Sequence, residues 1–303
     1  MMLMPPIQKN NPMGLFSNIA NIIQSIVRFC LFASILLCMS FFGFANEKNI
    51  APQQIKIAVS NGAYFHKLLE LVLEKTRKEY GSVELIVIKP GIAGNRIMRS
   101  VETGELSVMW RPYQEVDNYA VRPIPIRILK NLSDYRILLI RQNDQNRFDR
   151  VHTLTELSRL KAGMGSHWYD TEVMAANHLP TVTSVSYANL FKMLKAGRFD
   201  YFPRGVYQAL PEAKAYESHG IVIERKLLLH YENPFCFYVA EKNTALAERI
   251  EKGLKMSVAD GSFDQRFYQY EEFSWAEKLL QDQDRLVIEL KNDESVGRRR
   301  NVK

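Results

Sequence analysis

Residues Leu194–Gly205 read LKAGRFDYFPRG. An apolar, helix-like run through Leu190–Lys195 meets Gly197, a residue suited to stopping a helix. The chain then reads as a strand and a turn, with Asp200 and Arg204 set around two aromatics and Pro203. Two readings follow from these residue types. One is a helix stop leading into a strand and a turn; the other is the wall of a ligand pocket, in which Asp200, Tyr201 and Arg204 face a cleft.

Working outward, the same order of elements recurs along the chain. IKIAVS (Ile55–Ser60) alternates apolar and polar residues as a strand does. A helix follows, with Phe65, Leu68, Leu69, Val72 and Thr76 at helical spacing and Gly81 as its stop. VELIVIK (Val83–Lys89) is a strand, Asn95–Thr103 a short helix and LSVMW (Leu106–Trp110) a third strand. Such alternation predicts a parallel sheet with helices on its faces.

The segment from Arg122 to Asp144 carries Pro123 and Pro125, which cannot donate to a ladder, and then an apolar strand, Tyr135–Ile140. It reads as a crossing between lobes. From Leu154 the alternation restarts: a helix at Thr155–Leu160, the strand and loop KAGMGSHWYD, a helix from Thr171, the strand TVTSV and the helix that leads into Leu194–Gly205. Two further strands flank the polar break Glu232-Asn233-Pro234, where a return crossing is expected. A last strong helix puts Leu246, Ile250, Leu254 and Val258 on one face and ends at Gly261. The expected division is residues 50–140 with 233–290 as lobe 1 and 141–232 as lobe 2.

The chain has 303 residues, 47% of them hydrophobic, enough for a sizeable core. Residues 1–45 hold Lys9 and Arg28, no acidic residue, and the apolar run FCLFASILLCMSFFGF from Phe29 to Phe44. The run is short for a spanning helix, and small residues follow it. This is the pattern of a secretory signal peptide with cleavage near Ala45, a retained membrane anchor being the alternative. Loss of the leader leaves 38 basic against 33 acidic side chains, a balance of +5. Much of that excess sits in the 291–303 tail with Arg298, Arg299, Arg300 and Lys303, a solvated terminus rather than a nucleic-acid arm. Cys30 and Cys38 leave with the leader, so Cys236 has no internal disulfide partner. The histidines lack metal-ligand spacing, GMGSHW lacks the third glycine of a dinucleotide loop, and no glycine–lysine–serine/threonine phosphate loop is present. No cofactor or metal is expected.

Four segments carry a resemblance to a known family: IKIAVS with its following aromatic and helix, GELSVMW, GMGSHWYDTEVM, and LKAGRFDYFPRG with the later FCFYVAEKNTALAERIEKGLKMSVADGSF. From Ile55 to Glu289 their order resembles the type II periplasmic solute-binding proteins, family 3, associated with polar amino acid uptake by ABC transporters. The resemblance implies an α/β fold of two lobes, each a mixed sheet flanked by helices, joined by two hinge crossings and closing on a small polar solute. It implies a monomer in the periplasm that works with a membrane permease. A ligand-dependent partner of a membrane sensor and a small periplasmic enzyme are the alternative roles.

On that resemblance Asp200 lies where relatives accept a ligand ammonium, with an Asp200–Arg204 bridge as the structural alternative. The loop of Ser166, Trp168 and Asp170 precedes a helix whose free N–H groups meet a carboxylate in relatives. Trp168 is the cleft aromatic there, and Asp170 is a helix cap. Tyr64 follows the first strand where relatives present an aromatic, while Phe65 fits the helix's apolar face. Relatives place a threonine and then an arginine after the third strand, whereas this chain has Trp110 and Arg111. Either Arg111 takes that role, or the ligand is not an ordinary α-amino acid.

Overall fold

The computed structural model describes residues 52–58, 63–88, 95–113 and 119–292. The expected leader (1–45) and all of the expected 291–303 tail but its first two residues lie outside the described residues. Among the described residues no helix is long and apolar enough to cross a membrane.

Two sheets organise the chain. The first has β1 (Gln53–Ala58), β2 (Val83–Ile88), β3 (Val108–Pro112), β4 (Val121–Pro123) and β11 (Phe235–Ala240), in the order β2-β1-β3-β11-β4. β1 runs parallel to β2 and β3, while β11 is antiparallel to β3 and β4. The second has β5 (Tyr135–Arg141), β6 (Ala162–Gly165), β7 (Thr181–Ser184), β8 (Tyr201–Gly205), β9 (Ile221–Ile223), β10 (Leu227–His230) and β12 (Leu286–Glu289). Its order is β12-β10-β5-β8-β6-β7, with β9 paired to β5. β6, β7 and β8 are mutually parallel and β5 runs against β8.

These memberships correct the expected lobe boundaries. Tyr135–Arg141 pairs wholly within the second sheet, so the chain crosses between Pro123 and Tyr135 rather than at 140. It passes back between His230 and Phe235, beside Asn233. Leu286–Glu289, expected in the first lobe, instead pairs in parallel with β10 of the second. Apolar burial is the physical reason: Ile288 and Leu290 join Leu227 and Leu229 in the second sheet's core cluster.

The helices that matter for the site are α1 (Ala63–Lys75), α2 (Asn95–Thr103), α3 (Tyr169–Ala176), α4 (Tyr187–Lys195), α5 (Val206–Tyr216), α6 (Thr244–Ala259), α7 (Ser262–Phe267) and α8 (Glu271–Leu280). α4 stops where Gly197 turns left-handed at φ 69°, its N–H returning to Leu194 O at 3.0 Å. A side chain at that backbone angle is strained, so glycine fits the stop. α6 packs on α1 so closely that a Cβ at Gly253 would stand 2.3 Å from Val72 O. Its buried stripe ends on Ser257, while Val258, expected on the core face, is 57% exposed. The helical period of 3.6 residues carries a strict i+4 series off the stripe after three turns.

Arg249 of α6 is 1% exposed and donates to the carbonyls of Leu73, Tyr80 and Gly81, all near the C-terminal end of α1 and the turn after it. A cation there satisfies carbonyls that a helix end leaves without partners. The main core runs from Ile55 and Leu68 under the first sheet to Phe202 and Phe237, and a second cluster around Leu138, Met164 and Tyr201 lies on the other face of the second sheet.

Candidate functional site

The parallel strands β3, β6 and β8 deliver their carboxyl ends to one place, and the antiparallel β11 and β5 begin there, Phe235 pairing with Pro112 and Arg136 with Gly205. A cavity of about 370 Å³ opens at this point, within the range of small-molecule pockets. The first sheet contributes Trp110, Arg111 and Phe235, with Met98 from α2 beside them. The second contributes Arg136 and Arg204, and the loops and helix starts after β6 and β8 add Trp168, Asp170, Tyr207 and Gln208. Open α/β sheets bind ligands outside the carboxyl ends of their strands, where helix N-termini also point.

Aromatic stacking fixes both walls. Trp110 lies on Phe65 at 5.3 Å, with Phe65 also stacked on Phe235 at 5.7 Å. Trp168 lies nearly parallel to Phe202 at 6.0 Å. Gly165 makes room for that indole: a Cβ there would meet the Trp168 ring at 2.3 Å.

Three arginines set the electrostatics. Arg204, 7% exposed, gives two 2.7 Å hydrogen bonds to Glu212 and holds its guanidinium 4.9 Å above Trp168. Burial alone would depress its pKa, but Glu212 more than offsets this and holds it above the ordinary value. Arg136, in β5, pairs with Asp170, which also accepts from the Tyr231 hydroxyl. Burial opposes both charges, yet their mutual attraction dominates: the Asp170 pKa is lowered and the Arg136 pKa raised. Arg111 is half-buried beside Met98, and burial lowers its pKa. Burial pushes the Tyr207 hydroxyl up to about 12, so it is a neutral donor at physiological pH.

Of the residues expected from the sequence to touch a ligand, Trp110, Arg111, Trp168 and Arg204 come together around this cavity. The others do not. Asp200 precedes β8 and so stands at its amino end, away from the cavity at the carboxyl end. There it accepts the Lys161 backbone N–H at 2.8 Å and pairs with Arg147 at 2.8 Å, with Arg141 3.7 Å away. Arg204 is bridged to Glu212, not to Asp200.

Tyr201 is wholly buried against Phe148, because alternation along β8 turns it to the second core cluster. Tyr64 is 2% exposed, donates to Ile128 O at 2.5 Å and sits among Phe267, Tyr270 and Phe273. The expected roles of neighbours are thereby exchanged, since Phe65 backs the cavity wall. Ser166 pairs its N–H with Ser184 O at the end of β6 and does not line the cavity. Asp170, expected as a helix cap, is instead the carboxylate partner of Arg136 at the start of α3.

Sequence reasoning missed Arg136, Tyr207 and Asn233. An arginine inside the apolar run YRILLIR was a readable signal, because a buried cation demands a partner. Asn233 lay at the polar break read only as a crossing. It is 1% exposed, and neither end of its carboxamide has a hydrogen-bond partner among the described residues.

No family model matches the sequence, and no curated protein sequence matches it. Solved structures do match. An ancestral arginine-binding protein bound to arginine is similar with a TM-score of 0.55 and 16% identity, over 72% of this chain and 98% of that one. A Salmonella typhimurium periplasmic binding protein of high arginine specificity gives 0.53 and 13%, over 72% and 99%. An ancestral amino acid-binding protein, a precursor of cyclohexadienyl dehydratase, gives 0.53 and 11%, over 72% and 95%. Two helix-flanked sheets of mixed strand direction, joined by paired crossings and matched over nearly the whole length of these structures, make this the fold of the type II periplasmic solute-binding proteins.

Proposed function

We propose that the protein captures a small polar solute in this cavity and hands it to a membrane permease. The observation that carries the reading is that both sheets build the cavity: Trp110 and Arg111 on one wall, Trp168 and Arg204 on the other. A solute touching both walls favours whichever arrangement of the lobes brings them together, and that differential contact is what a capture protein needs. The structural relatives named for arginine and other amino acids support a solute of that size and polarity. Work outside the inner membrane is supported by the basic, apolar and small-residue order of residues 1–45. On this reading the protein is a binder and not a catalyst, acts as a monomer and needs no cofactor.

The test is a thermal-shift screen of amino acids, polyamines, organic acids and small peptides on the purified protein. A true solute at 100 times its dissociation constant stabilises the fold by about 2.7 kcal/mol. For a domain of this size that is a rise of roughly 5–11 °C. A panel with no shift, or chemical turnover of a bound acid, contradicts the proposal.

A further inference from the structure

The cavity lining holds three arginines to one carboxylate, and two of the arginines are engaged within the fold, Arg136 with Asp170 and Arg204 with Glu212. Arg111, Arg136 and Arg204 line it, while Asp170 is the single carboxylate in its lining among the described residues. Asp170 already accepts from Arg136 and from the Tyr231 hydroxyl. Glu212, behind Arg204, takes two bonds from that guanidinium and a third from the Tyr187 hydroxyl at 2.8 Å. A ligand ammonium would have to displace a buried arginine to reach either carboxylate, leaving that arginine unpaired. The starts of α3 and α5, whose backbone dipoles favour anions, face the same space through Tyr169, Asp170, Tyr207 and Gln208.

Asn233 is the second, independent sign of a ligand. Its backbone N–H is fixed by Asp134 Oδ1 at 2.8 Å, so the residue is held in place. Asn233 is one of the residues that line the cavity and is 1% exposed, and its Oδ1 and Nδ2, both sealed from solvent, have no hydrogen-bond partner among the described residues. Buried amides are hydrogen-bonded as a rule, and one that lines a pocket without a partner is matched to what enters the pocket. The remaining walls are flat and apolar: Trp110 on one side, Trp168 on the other, with Phe235 between the crossings.

Resting on the solute-binding reading, we infer that the cavity selects a small planar carboxylate that carries no amino group, and that the Asn233 carboxamide hydrogen-bonds a second polar group on its body. The carboxylate goes to the arginine-lined end and the ring lies between the two indoles. Asn233 sets specificity, because a site built to hydrogen-bond a hydroxyl rejects the analogue that lacks it.

Matched compounds differing only in the α-amino group test this by calorimetry on the purified protein. Binding of 3-(4-hydroxyphenyl)propionate is compared with tyrosine, and indole-3-propionate with tryptophan. The amine-free acid is expected to bind at least tenfold more tightly in each pair. Asn233→Leu is expected to weaken 3-(4-hydroxyphenyl)propionate at least tenfold while changing 3-phenylpropionate less than threefold. Asn233→Ala serves as a second variant, and both are checked for an unchanged melting transition.

Equal or tighter binding of the amino acid overturns the inference, as does an equal loss for the two propionates. If amino acids or polyamines bind while every aromatic acid fails, the inference falls and the solute-binding reading stands. If nothing in the full solute panel binds, both fall.

Discussion

Asp200→Ala separates a structural carboxylate from a ligand-binding one. Asp200 lies one residue before β8 and the cavity begins at the other end, at Arg204 and Gly205. Five residues of strand at about 3.3 Å each put roughly 16 Å between the two ends. What the substitution removes is local: the acceptor for the Lys161 N–H at 2.8 Å and the ion pair with Arg147 at 2.8 Å. A hydrogen bond from a backbone N–H to a carboxylate is worth about 1.5–3 kcal/mol. The Arg147 pair adds little, because that arginine is 44% exposed and its charge is screened. The expected loss of stability is therefore about 2–3 kcal/mol, measured by urea unfolding at constant slope. Solute affinity measured by calorimetry is expected to stay within twofold. A tenfold loss of affinity with unchanged stability would refute the placement of Asp200 away from the site.

Other substitutions probe the charged walls and the core. Glu212→Gln leaves the Arg204 guanidinium buried against a neutral amide and is expected to destabilise by about 3–5 kcal/mol, as for a broken buried ion pair; a loss under 1 kcal/mol in urea would contradict it. Asp170 has a folded pKa below its unfolded value, so its contribution is complete above about pH 5 and is lost as pH falls through the depressed folded value. Asp170→Asn is accordingly expected to lower stability at pH 7 and flatten its decline on acidification below about pH 4, and an unaltered acid limb would count against the pairing with Arg136. Cys236 is wholly buried and its thiol is pushed up to about 12 by burial, so the native protein is expected to resist thiol reagents at pH 8 and react only after unfolding. Rapid labelling without unfolding would show that β11 is not packed as described.

Local periodicity made most elements legible. β2, α2 and β5 fall within a residue of their sequence readings, and Gly197 and Gly261 turn left-handed where helix stops were read. The lobe boundary was harder, because an apolar strand such as Tyr135–Arg141 carries no mark of which sheet it joins. Its partner β8 comes some sixty residues later, and only tertiary pairing decides.

The cavity lining was legible where an element's end is itself the signal, as at Trp110 and Arg111 in the last three residues of β3 and Trp168 after the glycine-rich β6. Asp200 precedes β8 rather than following it, which sets its side chain at the amino end of the strand, opposite the carboxyl end that opens on the cavity. Tyr64 and Phe65 differ by 100° on one helix turn. Which of them is core depended on Phe267, Tyr270 and Phe273, in and around α7 and α8, elements that periodicity left unread. The partnerless carboxamide of Asn233 is invisible in sequence, since a polar residue beside proline reads first as a turn.

On the proposed function one cavity, built by both sheets, holds the solute. A crystal structure of the protein with the tightest solute from the screen tests it most directly. The expected result is the solute lying between Trp110 and Trp168, its carboxylate hydrogen-bonded to an arginine of the lining and its second polar group to Asn233. A solute bound elsewhere, or one whose amino group sits on Asp170 with Arg136 displaced, would contradict the account.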